Sequence, residues 1–430
     1  VTSISETDAD GTKVYEKKEY DGAQDYDLIL RCCEKAEELD KELGDKNRLP
    51  ENIALMKSEG IYTSATIHHI PRVLYHWRSH QASTASDPAA KMYAFDAGAE
   101  AIKAHCLRIG LPFESIETGA DLGFYHVTYK TNNPLISVII PNKDHTDDLN
   151  KVIRSLNSGE YKNLEFIVVE NNSTEKKTWD YYDEIQKEFE NVKVVKWEKE
   201  FNYSAINNYG FSYATGDYIL FMNNDIELIS DNAIREMLMY VQRDDVGICG
   251  AKLLYPDDSI QHAGVVIGFG GIAGAAFVTT PKGQFTYMHR AQCIQDYSSV
   301  TAAVMMSKRS VIDAVGGFST DLAVAFNDID FCMKVRTLGL KVVYDPYALF
   351  HHYESKSRGL EDTPEKLKRF HNEMHTFLDK WPAIVKNGDP YYNAQLTLRK
   401  ADFSLRNLLL ENIGEPYSID FSYDDQEKAN

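Results

Sequence analysis

The 430-residue chain is long for a single hydrophobic core, so its length predicts two domains with flanking tails. Its 65 acidic and 46 basic residues give a formal net charge of −19, which argues against nucleic acid or an anionic membrane as the main partner. No apolar run approaches about eighteen residues, and charge follows the first five residues where a signal peptide would have an apolar core. We therefore expect a soluble cytoplasmic protein, with peripheral association at the inner face of the membrane left open.

Turn-forming residues at 131–134 mark a boundary between two parts of the chain. Apolar strand patterns follow at 135–140, 166–169, 192–197 and 218–222, and helical patterns lie between them. Such alternation predicts an α/β domain with a mainly parallel sheet and flanking helices. We assign residues 1–130 to an N-terminal domain, 131–380 to the α/β domain and 381–430 to a C-terminal extension.

Polar residues stand where three of these predicted strands end: Asn142, then Glu170-Asn171-Asn172, then Asn223-Asn224-Asp225. Ligands of parallel α/β sheets bind at the carboxyl ends of the strands. Five consecutive apolar residues lead directly into Asn223-Asn224-Asp225. Oxygen ligands at the point where a buried strand leaves the core can hold a hard divalent cation. The pattern predicts a ligand site with a metal at this edge of the sheet.

Beyond Asp225 the pattern becomes α+β, with a helix near 233–242, a strand at 246–251 and a helix that begins near Asp328. The glycine-rich stretch at 264–274 superficially resembles a dinucleotide-binding fingerprint, but Thr279-Thr-Pro-Lys follows where a helix should run. We expect a flexible loop near the acceptor there.

Several of these strings together resemble the family 2 glycosyltransferases, which have the GT-A fold. They are Ile136-Ser-Val-Ile-Ile-Pro141-Asn, Phe166-Ile-Val-Val-Glu170-Asn-Asn-Ser173 and Phe221-Met-Asn-Asn-Asp225. Gln261-His-Ala-Gly264, Phe326-Asn-Asp328-Ile-Asp330 and His352-Tyr-Glu-Ser-Lys-Ser-Arg358 narrow the resemblance to the rhamnosyltransferase-like branch of bacterial surface polysaccharide synthesis. The resemblance covers about residues 135–400. It implies an inverting hexosyl- or rhamnosyltransferase that uses a UDP- or dTDP-sugar and a glycan or lipid-linked acceptor.

The resemblance also implies the roles of individual residues on the donor side. Asp225 matches the aspartate that ligates Mn²⁺ or Mg²⁺ on the donor diphosphate, where the metal neutralises the charge of the leaving group. His352 matches a histidine that reaches this metal or the diphosphate, and His351 competes with it by register. The implied nucleotide-binding residues are Pro141, Asn142, Asp144, Glu170, Asn171, Asn172, Asn223 and Asn224.

On the acceptor side, Asp328 matches the catalytic base of the family. An inverting transferase needs one carboxylate to take the proton of the attacking hydroxyl. The residues expected to contact acceptor or phosphate are Asn327, Asp330, His351, Ser355 and Arg358.

The N-terminal part contains a weak internal repeat. Gln24-Asp25-Tyr-Asp27 resembles Asn327-Asp328-Ile-Asp330, and His76 follows it as His352 follows the second copy. Residues 1–130 therefore resemble the acceptor-side half of a second such domain without its nucleotide-binding strands. The sequence leaves open whether that domain is truncated or lacks residues near Tyr20.

A second function stays open beside transfer. Asn223 and Asn327 each stand where relatives often carry an acid. A non-catalytic scaffold that keeps the fold and binds a glycan or a partner is therefore the alternative to an enzyme.

Overall fold

The computed structural model describes residues 4–7, 13–15, 20, 22–47, 49, 51–58, 60, 64–70, 72, 74–76, 92–353 and 363–413. The chain forms two compact units. The first comprises Val1–Pro50 and Ser64–Lys130, and the second comprises Glu51–Thr63 and Thr131–Asn430.

The helices of the described residues, in chain order, are α1 Gln24–Asp45, α2 Glu51–Ser58, α3 Met92–Arg108, α4 Thr146–Ser158, α5 Lys176–Glu188, α6 Tyr203–Phe211, α7 Ala233–Val241, α8 Arg309–Val315, α9 Asn327–Thr337, α10 Pro364–Lys380 and α11 Pro382–Asn387. The strands are β1 Ile4–Thr7, β2 Lys13–Tyr15, β3 Phe113–Thr118, β4 Tyr125–Tyr129, β5 Ile136–Asn142, β6 Leu164–Glu170, β7 Val192–Lys196, β8 Tyr218–Met222, β9 Ile226–Leu228, β10 Val246–Leu254, β11 Ile260–His262, β12 Val265–Ile267, β13 Ala273–Ala275, β14 Gln295–Tyr297, β15 Val304–Lys308 and β16 Lys341–His352. In the part of the chain that the structure describes, none of these helices combines the length and the apolar character that crossing a membrane requires.

The first unit is built on the pair α1 and α3, with the antiparallel pairs β1–β2 and β3–β4. Charged side chains tie the two helices together: Glu34 of α1 accepts hydrogen bonds from Arg108, at 2.7 Å, and from His105, at 2.7 Å, both of α3. The Arg108 guanidinium beside Glu34 lowers the pKa of that carboxyl to about 2.

The second unit is built on a ten-stranded sheet whose main path runs β14-β16-β10-β15-β8-β5-β6-β7, with β11 beside β10 and β9 beside β16. The strands β7, β6, β5 and β8 are parallel. Next to them β15 runs antiparallel to both β8 and β10, and β16 runs parallel to β10. The fold class is therefore the predicted α/β class, with a mixed sheet that is parallel from β7 through β6 and β5 to β8.

The central strands form because their sequences are continuous apolar runs that both faces of the sheet can bury. Most residues of β5, β6 and β8 are buried. Helix α4 covers the sheet with one apolar face, and its buried residues are Thr146, Leu149, Val152, Ile153 and Leu156. The predicted strands and helices between 135 and 251 lie where their patterns placed them, while α5 is an additional helix.

The glycine-rich stretch differs from its expectation. Residues 264–274 do not form an open loop: β12 and β13 pair as an antiparallel hairpin, and Phe269 between them is buried in the core. Gly264 has a φ of +90° at the entry to this hairpin, and a Cβ there would lie 2.5 Å from the ring of Tyr297. Only glycine fits this close approach, so Gly264 serves packing.

Candidate active site

The topology of the sheet brings the functional side chains to one edge. Because β5, β6 and β8 are parallel, Asn142, Glu170 and the residues that follow Met222 emerge on the same side. Strand β9 pairs antiparallel with the end of β16, with Ile226 opposite His352. This pairing places Asp225 next to His352.

A cavity of about 720 Å³ opens at this edge. Ten of the residues predicted from the sequence line it: Pro141, Asn142, Asn171, Asn172, Asn223, Asn224, Asp225, Asn327, Asp328 and His352. Further lining residues are Lys143, Glu200, Phe201, Tyr203, Ile206, Thr301, Ala302, Ala303 and Val324. The volume is within the range of small-molecule sites.

Asp225 and His352 form one corner of the cavity, and both are buried. The Nε2 atom of His352 lies 3.2 Å from Oδ1 of Asp225 and 3.3 Å from Nδ2 of Asn223. Oδ1 of Asp225 is buried without a hydrogen-bond partner among the described residues. Within the same part of the chain, no cluster of three or more His, Cys, Asp or Glu side chains has the arrangement of a metal site.

A chain of buried hydrogen bonds connects three strand ends. Glu170 accepts from the hydroxyl of Tyr182 at 2.6 Å, and Tyr182 accepts from Nδ2 of Asn142 at 2.7 Å. Oδ1 of Asn142 accepts from Nδ2 of Asn224 at 2.6 Å. These bonds hold β5, β6 and β8 in fixed relation where they meet the cavity. Glu170 acts inside this network, because its carboxylate also accepts from Ser173.

Asp144 has a structural role in this geometry. Its carboxylate accepts from the backbone N–H groups of Thr174 and Glu175, each at 3.1 Å, and from the hydroxyl of Thr178 at 3.1 Å. Burial raises the pKa of Asp144, but these hydrogen bonds outweigh it, and the pKa lies below its ordinary value. Asp144 therefore satisfies the amino terminus of α5.

Asn171 and Asn172 hold the loop that forms one wall of the cavity. Both donate to the carbonyl oxygen of Lys199, at 3.0 and 2.9 Å. Phe201, two residues further on, lies at the rim with its ring half exposed. This wall presents an aromatic face beside the amide groups of the strand ends.

Asp328 forms the opposite corner, on the first turn of α9. One carboxylate oxygen accepts from the N–H of Ala302 at 3.3 Å, and the other from its neighbour Ile329 at 2.9 Å. Burial raises the pKa of Asp328, and these N–H groups offset the effect only in part. A carboxyl with a raised pKa in a cleft is suited to general base catalysis near neutral pH.

Two side chains outside the cavity hold the backbone around Asp328. His262 donates from Nδ1 to the carbonyl of Ala251 at 2.9 Å and accepts from the N–H of Thr301 at 3.2 Å. Glu373 of α10 accepts from the N–H groups of Val324 and Ala325, which precede α9. These contacts fix both backbone segments that face Asp328.

Besides Asp144 and Glu170, two further predicted residues do not line the cavity. Asp330 is buried and accepts from Nε1 of Trp381 at 3.0 Å and from Ser319 at 2.6 Å. His351 pairs with Asp258 at 2.8 Å on the opposite face of β16 from His352. Ser355 and Arg358 fall outside the described residues, so their assignment stays a prediction.

The comparisons with known proteins agree with this geometry. Residues 137–312 match the model "Glycosyl transferase family 2". This stretch of the chain is therefore similar to that family.

Similarities to curated proteins extend over more of the chain than this match does. The chain is 39% identical over 389 residues to the uncharacterised protein y4gI of Sinorhizobium fredii. That alignment covers 90% of this chain and 40% of y4gI. It is 33% identical over 393 residues to the O-antigen biosynthesis protein RfbC of Myxococcus xanthus, covering 90% of this chain and 28% of that protein. The chain thus spans less than half the length of either relative.

Solved structures resemble the chain at lower identity. One is the mannosyltransferase PcManGT of Pyrobaculum calidifontis in complex with GDP-Man and Mn²⁺, with a TM-score of 0.43, 14% identity and coverage of 67% of this chain and 75% of that chain. Another is GalNAc-T7 with UDP, GalNAc and Mn²⁺, with a TM-score of 0.46, 14% identity and coverage of 60% and 50%.

Proposed function

We propose that the second unit is an inverting, metal-dependent glycosyltransferase that moves a sugar from a UDP- or dTDP-sugar to a hydroxyl of a glycan or lipid-linked acceptor. The observation that carries the proposal is the cavity that Asp225, His352 and Asp328 line together. The similarity of residues 137–312 to glycosyl transferase family 2 and the O-antigen biosynthesis protein among the relatives support a role in bacterial surface polysaccharide synthesis. The donor that we propose is a hexosyl or rhamnosyl nucleotide. A lipid-linked acceptor would bring the protein to the inner face of the membrane.

The chemistry needs one base and one leaving group. Asp328 takes the proton from the acceptor hydroxyl while that oxygen forms a bond to the anomeric carbon. The bond from the anomeric carbon to the diphosphate breaks, and its electron pair leaves with the nucleoside diphosphate. Because a single displacement inverts the anomeric centre, no second carboxylate is required.

Asp225 and His352 fit a divalent cation, Mn²⁺ or Mg²⁺. The unpartnered, buried Oδ1 of Asp225 and the nearby Nε2 of His352 are ligand types that Mn²⁺ accepts. Asp225 and His352 would hold the cation, which would supply positive charge to stabilise the departing diphosphate. With two protein ligands, the site would take its remaining ligands from the phosphates of the donor.

The donor nucleotide would lie along the strand ends of β5 and β6. Asn171 and Asn172 present amides there, and Phe201 offers a ring on which a base can stack. Asp144 and Glu170 support this surface from within the fold through the contacts described above.

We further infer that the first unit is a partial copy of the acceptor side. The N-terminal motif starts at Gln24, the first residue of α1, and the second motif starts at Asn327, the first residue of α9. In each copy the second aspartate meets a basic side chain at the end of a later helix: Asp27 lies 3.6 Å from Arg108 of α3, and Asp330 lies 3.8 Å from Lys380 of α10. The position that matches Asp328 is Asp25, which is exposed.

The proposal is tested with the purified chain, Mn²⁺ and a panel of UDP- and dTDP-sugars. We expect release of nucleoside diphosphate that depends on metal and acceptor, and metal-dependent nucleotide binding by calorimetry. Absence of both would contradict the transferase and favour the binding scaffold.

The variant Asp328→Asn separates chemistry from binding. It should reduce transfer by at least about a thousandfold, because it removes the base, and leave nucleotide affinity nearly unchanged. Asp313→Asn, at an exposed position of α8, is the matched control and should behave as the wild type. Equal loss of binding and transfer in Asp328→Asn would show that Asp328 is not the base.

A further inference from the structure

Gln261 is a buried side chain of β11 that contacts His352 twice. Its Oε1 lies 2.6 Å from Nδ1 of the imidazole. Its Nε2 points to the backbone carbonyl of the same histidine at 3.5 Å. Since the amide nitrogen faces a carbonyl, the amide oxygen faces Nδ1, and Nδ1 must be the donor in that short bond.

This hydrogen bond decides which ring nitrogen is available to a ligand. A neutral imidazole carries one ring proton, so a proton on Nδ1 leaves a lone pair on Nε2. Nε2 is the atom that lies 3.2 Å from Oδ1 of Asp225. The lone pair on Nε2 then faces the carboxylate oxygen Oδ1 of Asp225. Without a cation the two electron-rich atoms repel each other, whereas a cation between them would attract both.

Asn223 completes the arrangement. Its Nδ2 lies 3.3 Å from Nε2 of His352, so in the metal-free protein it can donate to the lone pair that a bound cation would take. An aspartate at position 223 would add negative charge beside the histidine, and the Asn223 amide does not. The amide is compatible with the Nδ1-protonated tautomer of His352.

We propose that Gln261 is a positioning residue that holds His352 in the Nδ1-protonated tautomer, so that Nε2 and Asp225 Oδ1 face a divalent cation together. The inference rests on the proposed function, because it assigns the cation to the donor diphosphate. Ligating histidines commonly donate their second ring N–H to an acceptor in this way, and loss of the acceptor weakens metal binding by about 10- to 100-fold.

The first measurement uses the metal-free protein. Nitrogen NMR of the labelled imidazoles, with His352→Gln for assignment, distinguishes the two neutral tautomers. We expect the Nδ1-protonated form for His352 in the wild type and its loss in Gln261→Met. A wild-type His352 protonated on Nε2 would overturn the proposal.

The second measurement is Mn²⁺ binding in the presence of UDP or dTDP. Gln261→Met should bind Mn²⁺ about 10- to 100-fold more weakly, while Gln261→Glu keeps the acceptor and should restore the tautomer and most of the affinity. Gln292→Met removes a glutamine that bonds Thr286 and Gln284 and should leave binding unchanged. Gln261→Asn, which withdraws the amide by one methylene, repeats the test if Gln261→Met does not fold.

The outcomes separate the two claims. Wild-type affinity in both Gln261→Met and Gln261→Asn overturns the role of Gln261. A wild type with the expected tautomer that binds no Mn²⁺ with either nucleotide overturns the proposed function instead.

Discussion

At the scale of single residues, desolvation shifts the pKa values of two ionisable groups, Asp328 in the site and His262 beside it. Asp328 is partly buried at the amino terminus of α9, and desolvation raises its pKa. Phe326, two residues before it, has a φ of +60°, which is uncommon for a residue with a side chain. The strained backbone and the raised pKa occur together where the proposed chemistry takes place.

The raised pKa of Asp328 predicts the acid limb of the rate profile. A base works only when deprotonated, so transfer should fall as pH decreases through this pKa, at a higher pH than the ordinary aspartate value of about 3.9. The measurement is kcat/KM against pH, with circular dichroism at each pH to exclude unfolding. An acid limb at or below the ordinary value would contradict the assignment.

His262 predicts a pH dependence of stability. Burial lowers its pKa to about 4, so the folded protein holds it neutral, whereas the unfolded chain protonates it near pH 6.5. The contribution of neutral His262 to the free energy of unfolding is fully present above pH 6.5. It is lost as pH falls from there to about 4, a change on the order of 3 kcal/mol.

Urea unfolding at pH 7 and pH 4.5 tests this contribution by comparing the wild type with His262→Gln. The variant should be less stable at pH 7 and should lose less stability on acidification, because the ordinary carboxylates titrate alike in both proteins. Equal losses would show that His262 is not the group responsible.

At the scale of elements, α10 stabilises the loop that carries the base. Glu373 accepts from Ala325 and Val324, and Phe326 stacks on Phe377 with 5.6 Å between ring centroids. A helix remote in sequence thus fixes the entry to α9.

Glu373→Gln weakens these hydrogen bonds because a neutral amide is a poorer acceptor than a carboxylate. We expect a stability loss of about 1–3 kcal/mol and a kcat reduced about tenfold, with nucleotide affinity unchanged. Glu365→Gln, exposed on the first turn of the same helix, is the control for charge. An unchanged kcat in a destabilised Glu373→Gln protein would limit Glu373 to a purely structural role.

The elements that sequence reasoning found are those with local signals. The strands β5, β6 and β8 are apolar runs that end in polar residues. Because the strands are parallel, Asn142, Asn171 and Asp225 at or just after their carboxyl ends lie at the same edge of the sheet. The roles of Asp144 and Glu170 could not be predicted, because hydrogen bonds to Thr174 and Tyr182 depend on how α5 packs.

The remaining parts of the site arise from pairings between distant segments. Thr301 and Ala302 precede the antiparallel strand β15, so the rule about carboxyl ends does not point to them. Phe201 follows the predicted strand β7, and that rule would have found it. The glycine-rich hairpin was mistaken for a loop because glycine signals both open turns and close packing.

At the scale of the whole molecule, two units carry related motifs and differ in what surrounds them. Asp25 is exposed on α1, whereas Asp328 lines a cavity. The proposed catalysis therefore belongs to the second unit.

A matched pair of variants tests this division. Asp25→Asn should leave transfer within about twofold of the wild type, since an exposed carboxylate of this kind contributes little, and Asp328→Asn should abolish it. Initial rates with the same donor and acceptor provide the measurement. Comparable loss in both variants would show that the first unit contributes to the reaction.

The pairing of β9 with the end of β16 has a consequence for how the protein becomes active. Asn223 and His352 are neighbours in space but 129 residues apart in sequence. Synthesis from the N-terminus delivers β5 to β9 before β16, so Asp225 is present in a nascent chain before His352 is. Under the proposed function, a nascent chain without β16 would lack one of the two cation ligands and would not transfer sugar before the domain is complete.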